Sequence, residues 1–463
     1  MTAAKKRWIG SIVRWAVAVV GVTYVLWNIR FHDRVRLLRP DAGYAVEEVR
    51  VWDDAAEDAA SFVVGDDRRT VPAAALWTQP DRPSVSTPDP ARPTQSKKWK
   101  LVAVRPAGRV PGPAAELLVE DPDTKTRQVI DPAIVYGGGP AVLHPLVERG
   151  VNRMVREANW GYLAAAVLVL PLVHLITSYR WYALLNAQDI RLSLGRTFVL
   201  NMVGAFYNSF MPGSTGGDVA KAYYASKHTE HRTRAVLTVL VDRIIGLLAL
   251  LVLGGAMAAA QWDVPECRRV AVGAGVILAC TAAGLVVFYQ PTLRRATGLD
   301  WLLKRLPMQA QVHKAVEAMD AYGRRPGVML WTFACSFPVH VTTIVSATLA
   351  GLAFHLPLAP LYYWVVIPVT ALAGAIPISP QGAGVMEVFA VQLTKHHGVT
   401  AAQAVALMMC VRLTAMFWNL VAGLFVLKGG YHAPTDAEQH EMDADEPAEF
   451  TTEARRHGGQ PAV

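Results

Sequence analysis

From residue 160 onward the chain is built of long apolar runs separated by short polar stretches. Their lengths predict membrane helices over about 160–178, 235–259, 269–289, 327–353 and 402–427, each near the roughly 20 residues that a bilayer crossing needs. An earlier apolar run, 8–29, follows Lys5, Lys6 and Arg7, is interrupted only by Arg14, and has no small-residue cleavage signal at its end. It reads as a retained membrane helix rather than a cleaved signal peptide. Two other apolar regions are broken. Residues 196–226 are interrupted by Pro212, Gly213, Ser214, Thr215, Gly216, Gly217 and Asp218, and residues 360–394 by the run from Pro377 through Gly382 to Gly384. The pieces on either side are short for a crossing, so each region is expected to form a re-entrant hairpin, a shape that survives at membrane depth only when packed in protein or lining a wet cavity.

Between residues 30 and 159 the pattern changes. Short apolar runs at 44–52, 61–64, 100–104, 116–119 and 128–135, separated by Pro, Gly and Asp, predict a small β-rich module, with a loose Pro-rich loop at 79–97. Segments 61–76 and 117–134 share a pattern of apolar pair, acidic turn, basic residue and Val, as a duplicated β unit would. The expected fold is an all-α polytopic membrane bundle of six full spans and two re-entrant helical hairpins, carrying a small β-rich extracytoplasmic insert. Its expected divisions are an N-terminal membrane helix at 1–29, the β-rich insert at 30–159, the transmembrane domain at 160–428 and a disordered acidic cytoplasmic tail at 429–463.

Composition supports the membrane reading, since 52% of the 463 residues are hydrophobic and only 18% charged, where soluble domains run near a quarter charged. The net charge of +8 is small and scattered, so nucleic-acid binding is not expected. Cys267, Cys280, Cys335 and Cys410 lie in or beside apolar runs with no CxxC, which excludes a disulfide framework and a zinc ribbon. Basic residues cluster in the loop from 290 to 326 and around Lys227, Arg232 and Arg234. The bias of such residues toward the cytoplasm predicts both termini inside a bacterial-type inner membrane and the β-rich insert outside. Arg30, Arg34, Arg36 and Arg39 run against this assignment.

The candidate chemistry is intramembrane charge: Asp218, Lys221, Asp242, Arg243, Glu387 and Arg412. A charge at the centre of a membrane helix costs roughly 2.5–3.5 kcal/mol on insertion scales, so each needs compensation. Asp218 precedes Arg243 by 25 residues, and Glu387 precedes Arg412 by 25. In both places a Pro-x-Ser break and glycines come before the carboxylate, as two copies of one unit would have it, and the predicted topology makes the copies inverted. Transporters built this way place their site where broken elements meet near the midplane. The first-turn N–H groups after each glycine break favour an anion. Two readings remain open: fixed structural pairs in which Asp218 and Glu387 cap their helices, or a substrate path in which the arginines, Lys221 and free N–H groups hold a phosphate. His174, His340 and His355 are scattered, and His396 and His397 read as solvated. With no nucleotide loop, nucleophile elbow or zinc-protease motif, no cofactor, metal or catalytic residue is expected.

The string 201–208, ending in Asn208, followed by Pro212 to Asp218, Lys221-Ala-Tyr and Asp242-Arg243-Ile-Ile-Gly246, resembles the lysylphosphatidylglycerol synthase transmembrane-region family, also called flippase-like proteins. The second cluster, Pro377 through Gly384 with Glu387, fits the same family. The resemblance covers about 160–428 and implies an integral membrane domain linked to moving or presenting lipids. Lys221 stands where the family usually has Arg, and Asp242-Arg243 where Glu-Arg is frequent; Lys loses the bidentate grip on phosphate. The bifunctional synthases add a large aminoacyl-transfer domain after this region. Here 35 residues follow Lys428, and lipid aminoacylation is not expected of them. The leading expectation is a lipid translocase whose partners are membrane lipids. Its rivals are a transferase using Asp218 or Glu387 as general base and a scaffold presenting residues 40–150 to an envelope partner.

Overall fold

The computed structural model describes residues 23, 29–52, 60–79, 84–89, 92–107, 114–135, 146–210, 216–229, 232–299, 301, 305, 309–376 and 382–432. The expected helix over 8–29 lies outside these but for isolated residues, as do 211–215, 377–381 and the tail from 433.

Among the described residues nine strands come first: β1 (Arg34–Arg39), β2 (Ala45–Arg50), β3 (Ser61–Val64), β4 (Arg69–Pro72), β5 (Leu76–Trp77), β6 (Ser84–Asp89), β7 (Arg92–Pro106), β8 (Ala114–Glu120) and β9 (Arg127–Ile130). They form three antiparallel sheets in the orders β2-β1-β5, β3-β4 and β6-β7-β8-β9. The strands bury Val35, Leu37, Phe62 and Leu76 in one small core and Val85, Trp99, Leu117 and Val119 in another. The expected loose loop is corrected, because β6 and the start of β7 run through it. Proline is tolerated there since β6 is an edge strand, and exposed Pro88 sits at the register shift where β6 leaves β7. The two look-alike segments are both antiparallel hairpins, each followed by one 3₁₀ turn, Ala73–Ala75 and Pro132–Ile134.

Helices follow: α1 (Val151–Arg156), α2 (Trp160–Val169), α3 (Pro171–Ala187), α4 (Leu194–Phe210), α5 (Gly216–Ser226), α6 (Arg232–Ala259), α7 (Pro265–Tyr289), α8 (Pro291–Ala296), α9 (Gln309–Gly323), α10 (Pro326–Ala353), α11 (Tyr363–Ala375), α12 (Val385–Thr394) and α13 (Ala401–Gly429). Local chemistry sets their ends. Asn159 Oδ1 accepts from Gly161 and Tyr162 N–H at 3.0 and 3.3 Å to start α2. Thr400 and Gln403 exchange reciprocal bonds ahead of α13, and prolines open α3, α7, α8 and α10.

Among the described residues five helical segments are long and apolar enough to cross a membrane: Trp160–Ala187, Arg232–Ala259, Pro265–Tyr289, Pro326–Ala353 and Ala401–Gly429. These are the five runs expected after residue 160, with one correction. The first continues to Ala187 rather than ending near 178, interrupted only at Leu170, where Pro171 cannot donate to the helical ladder. The expected tail also begins later: α13 runs to Gly429, and the hydroxyl of Tyr224 donates to His432 O at 2.9 Å and accepts its N–H at 2.7 Å. Two compact units divide the chain, Met1–Pro171 with Leu251–Gly275 and His340–Trp418, and Leu172–Leu250 with Val276–Val339 and Asn419–Val463. Tyr363, Val366, Leu407 and Met408 are buried in the core of the first. Trp181, Leu200, Tyr223 and Val239 are buried in the core of the second.

Candidate functional site

In the second unit, α4 and α5 form a helical hairpin held backbone to backbone. A Cβ on Gly217 would overlap the carbonyl oxygen of Gly204 and stand 2.6 Å from Cγ of Asn208, so only glycine permits this approach. Asn208 Oδ1 accepts the Gly217 N–H at 2.9 Å, satisfying one of the donors that a helix start leaves without internal partners. In the substrate-path reading the first-turn amides stand free; at Gly217 the amide is occupied. Asp218, in the first turn of α5, lies 2.5 Å from Nη1 of Arg243 on α6, with side chains 26% and 28% exposed.

Asp242 faces a different set of groups, because neighbouring residues on a helix point about 100° apart. Its Oδ1 accepts from Nε of Arg180 on α3 at 2.7 Å, and its Oδ2 lies 3.7 Å from Nζ of Lys221 on α5. Arg180 also donates from Nη1 to Ser336 Oγ at 2.8 Å. Lys221 Nζ sits 4.3 Å from the ring centre of Trp181, and the Trp181 indole donates to Thr238 Oγ1 at 3.1 Å. Lys221 thus joins Asp242 in a buried cluster. Sequence reasoning missed Arg180 because the first span was ended at 178. The available signal was the apolar run that resumes at Trp181, which makes Arg180 an interruption inside a helix.

In the first unit, α11 and α12 form the second hairpin. Gly382 and Gly384 adopt φ of 69° and 84°, a region costly for other residues, and a Cβ on Gly382 would lie 2.6 Å from Cα of Gly374. The Gly384 N–H donates to Glu387 Oε2 at 2.7 Å, so Glu387 caps its own helix and this amide too is occupied. Glu387 is completely buried, and its Oε1 lies 2.7 Å from Nη2 of Arg412 on α13. That contact lacks hydrogen-bond geometry: Glu387 Oε1 and Arg412 Nε and Nη2 are buried with no hydrogen-bond partner among the described residues. Nε and Nη2 form the forked edge by which a guanidinium grips an oxyanion with two bonds.

The interval of 25 residues therefore closes an ion pair between each hairpin and the helix after it, one partly exposed and one buried. Removing one partner of a buried pair costs about 3–5 kcal/mol, whereas the intact pair is worth little more than apolar residues in its place. Gly216 and Gly217 are buried with Lys221 in α5, while Pro212, Gly213, Ser214 and Pro377 lie outside the described residues. No group of three or more His, Cys, Asp or Glu suited to a metal occurs among the described residues. A UPF0104 membrane protein of Methanothermobacter thermautotrophicus is 23% identical over 296 residues, which is 59% of this chain and 86% of that protein. The family model described as lysylphosphatidylglycerol synthase TM region matches residues 143–423. With that match covering more than half of its length, and with apolar helices of spanning length throughout the matched region, this multi-pass membrane chain belongs to the lysylphosphatidylglycerol synthase transmembrane-region family.

Proposed function

We propose that the protein moves an amphiphile with an anionic headgroup, a phospholipid or lipid-linked precursor, between the leaflets of the cytoplasmic membrane. In this reading both hairpins are re-entrant and are inverted copies of one unit, and Arg243 and Arg412 are successive contacts for the headgroup phosphate while the acyl chains stay in the bilayer. The carboxylates Asp218 and Glu387 hold the arginines in the absence of lipid and displace the phosphate afterwards. Asn208, Gly216, Gly217, Gly382 and Gly384 shape the helix starts beside which the headgroup passes. The carrying observation is Arg412: a guanidinium whose Nε and Nη2 are buried, beside a fully buried carboxylate, without a hydrogen-bond partner among the described residues. A structural pair would be expected to saturate those donors, since an unsatisfied buried donor costs about 1–3 kcal/mol.

The test is movement of headgroup-labelled phosphatidylglycerol in reconstituted vesicles. Arg243→Gln and Arg412→Gln should each abolish it in protein that remains folded, and unchanged transport by either variant rejects the mechanism.

A further inference from the structure

The arginines just after residue 29 contradict the charge bias that orients the membrane helices, and the structure gives them a different use. Within the first unit, β1 and β2 face the chain that leaves α12, and between them lies a cleft of about 420 Å³ lined by Arg36, Glu48, Gln79, Lys395 and His396, with Val46, Leu101 and Val102 supplying an apolar wall. A cleft of this volume lies in the size range of small-molecule sites. Glu48 is surrounded by guanidinium groups, with Arg36 at 3.0 Å, Arg34 at 3.8 Å and Arg30 at 3.9 Å, and Arg36 also reaches Glu148 at 2.7 Å. Four cations, counting exposed Lys395, thus meet two carboxylates.

We propose that this cleft binds a phosphate-bearing polar headgroup, with Arg36 and Lys395 on the phosphate oxygens, Glu48 and Gln79 on headgroup hydroxyls, and Leu101 and Val102 under the carbon skeleton. The β-rich module then serves as a headgroup receptor at the C-terminal end of the second hairpin, where Lys395 and His396 follow α12. Concentrated cationic residues with charge-assisted donors suit an oxyanion, and the two carboxylates disfavour a bare inorganic anion relative to one that carries hydroxyls. The inference goes beyond lipid movement and does not require it.

Binding of glycerol 1-phosphate, inorganic phosphate and glycerol to the full chain in uncharged detergent, followed by titration calorimetry, tests it. Glycerol 1-phosphate is expected to bind, glycerol not at all, and Lys395→Gln and Arg36→Gln are each expected to weaken binding about tenfold or more. Inorganic phosphate binding at least tenfold more weakly assigns the site to a lipid headgroup, and equal binding assigns it to free phosphate. Because Arg36 is tied to two carboxylates and its loss can unsettle β1, the exposed Lys395→Gln variant carries the test independently. Failure of every probe to bind, or wild-type affinity in Lys395→Gln, overturns the proposal. The transport assay reads Arg243 and Arg412 while this one reads Lys395 and Arg36, so the two outcomes fail separately.

Discussion

The buried pair in the second hairpin allows structural and transport roles to be separated by a double-mutant cycle. In Arg412→Gln the carboxylate of Glu387, completely buried, keeps only its 2.7 Å bond from the Gly384 N–H. The expected destabilisation is about 3–5 kcal/mol, the cost of leaving a buried charge uncompensated. In Glu387→Gln the amide oxygen can still accept from Gly384, but the guanidinium stays buried, so the loss is of similar size. In the double variant both charges are gone, and its stability should recover to within about 1–2 kcal/mol of the parent, because neutral groups carry no ionic desolvation penalty. Thermal unfolding of the purified protein reads this recovery, and movement of headgroup-labelled lipid in vesicles of the same preparations reads function. A phosphate contact predicts that the double variant is stable and inactive, since no neutral side chain replaces the forked guanidinium edge. A double variant that is both stable and as active as the parent would refute the reasoning and leave the pair a structural neutraliser.

Gly217→Ala should separate α4 from α5 at a cost of about 3 kcal/mol or more, because its Cβ overlaps the Gly204 carbonyl, whereas Gly273→Ala, with open space around it, should leave the melting temperature unchanged or raised. Arg180→Gln should lower stability by about 3–5 kcal/mol, and Arg180→Lys should not restore it, since one ammonium cannot serve Asp242 and Ser336 from the two positions that Nε and Nη1 occupy; full rescue by lysine in a thermal melt would contradict this. In the β-rich module, the Lys97 ammonium bonded to Asp121, with the Asp123 amide, holds the Asp121 carboxyl at about 2 instead of 3.8. The ionised form is favoured by folding, so its stabilisation is complete above about pH 4 and is lost as the pH falls through about 2. Acid unfolding of the module, followed by protection of β7 and β8 amides from hydrogen exchange, should lose its component in that window in Lys97→Met; an unaltered acid profile would count against the pairing.

Sequence alone was enough to locate the five long apolar helices, the two broken regions and the β-rich character of the N-terminal third, because apolar run length and the Pro, Gly and Asp that punctuate short runs are properties of consecutive residues. The interval of 25 residues also pointed to Asp218 with Arg243 and Glu387 with Arg412, since a short helix, a turn and part of the next helix return the chain to the same depth. Which charges share a cluster was a tertiary matter. Asp242 adjoins Arg243 in sequence yet belongs to Arg180 and Lys221, because a helix turns successive side chains away from each other and α3 supplies a partner 62 residues upstream. The occupation of the Gly217 and Gly384 amides by Asn208 and Glu387, and the use of Arg36 beside Lys395, likewise depended on contacts between segments far apart in the chain, which no local pattern encodes.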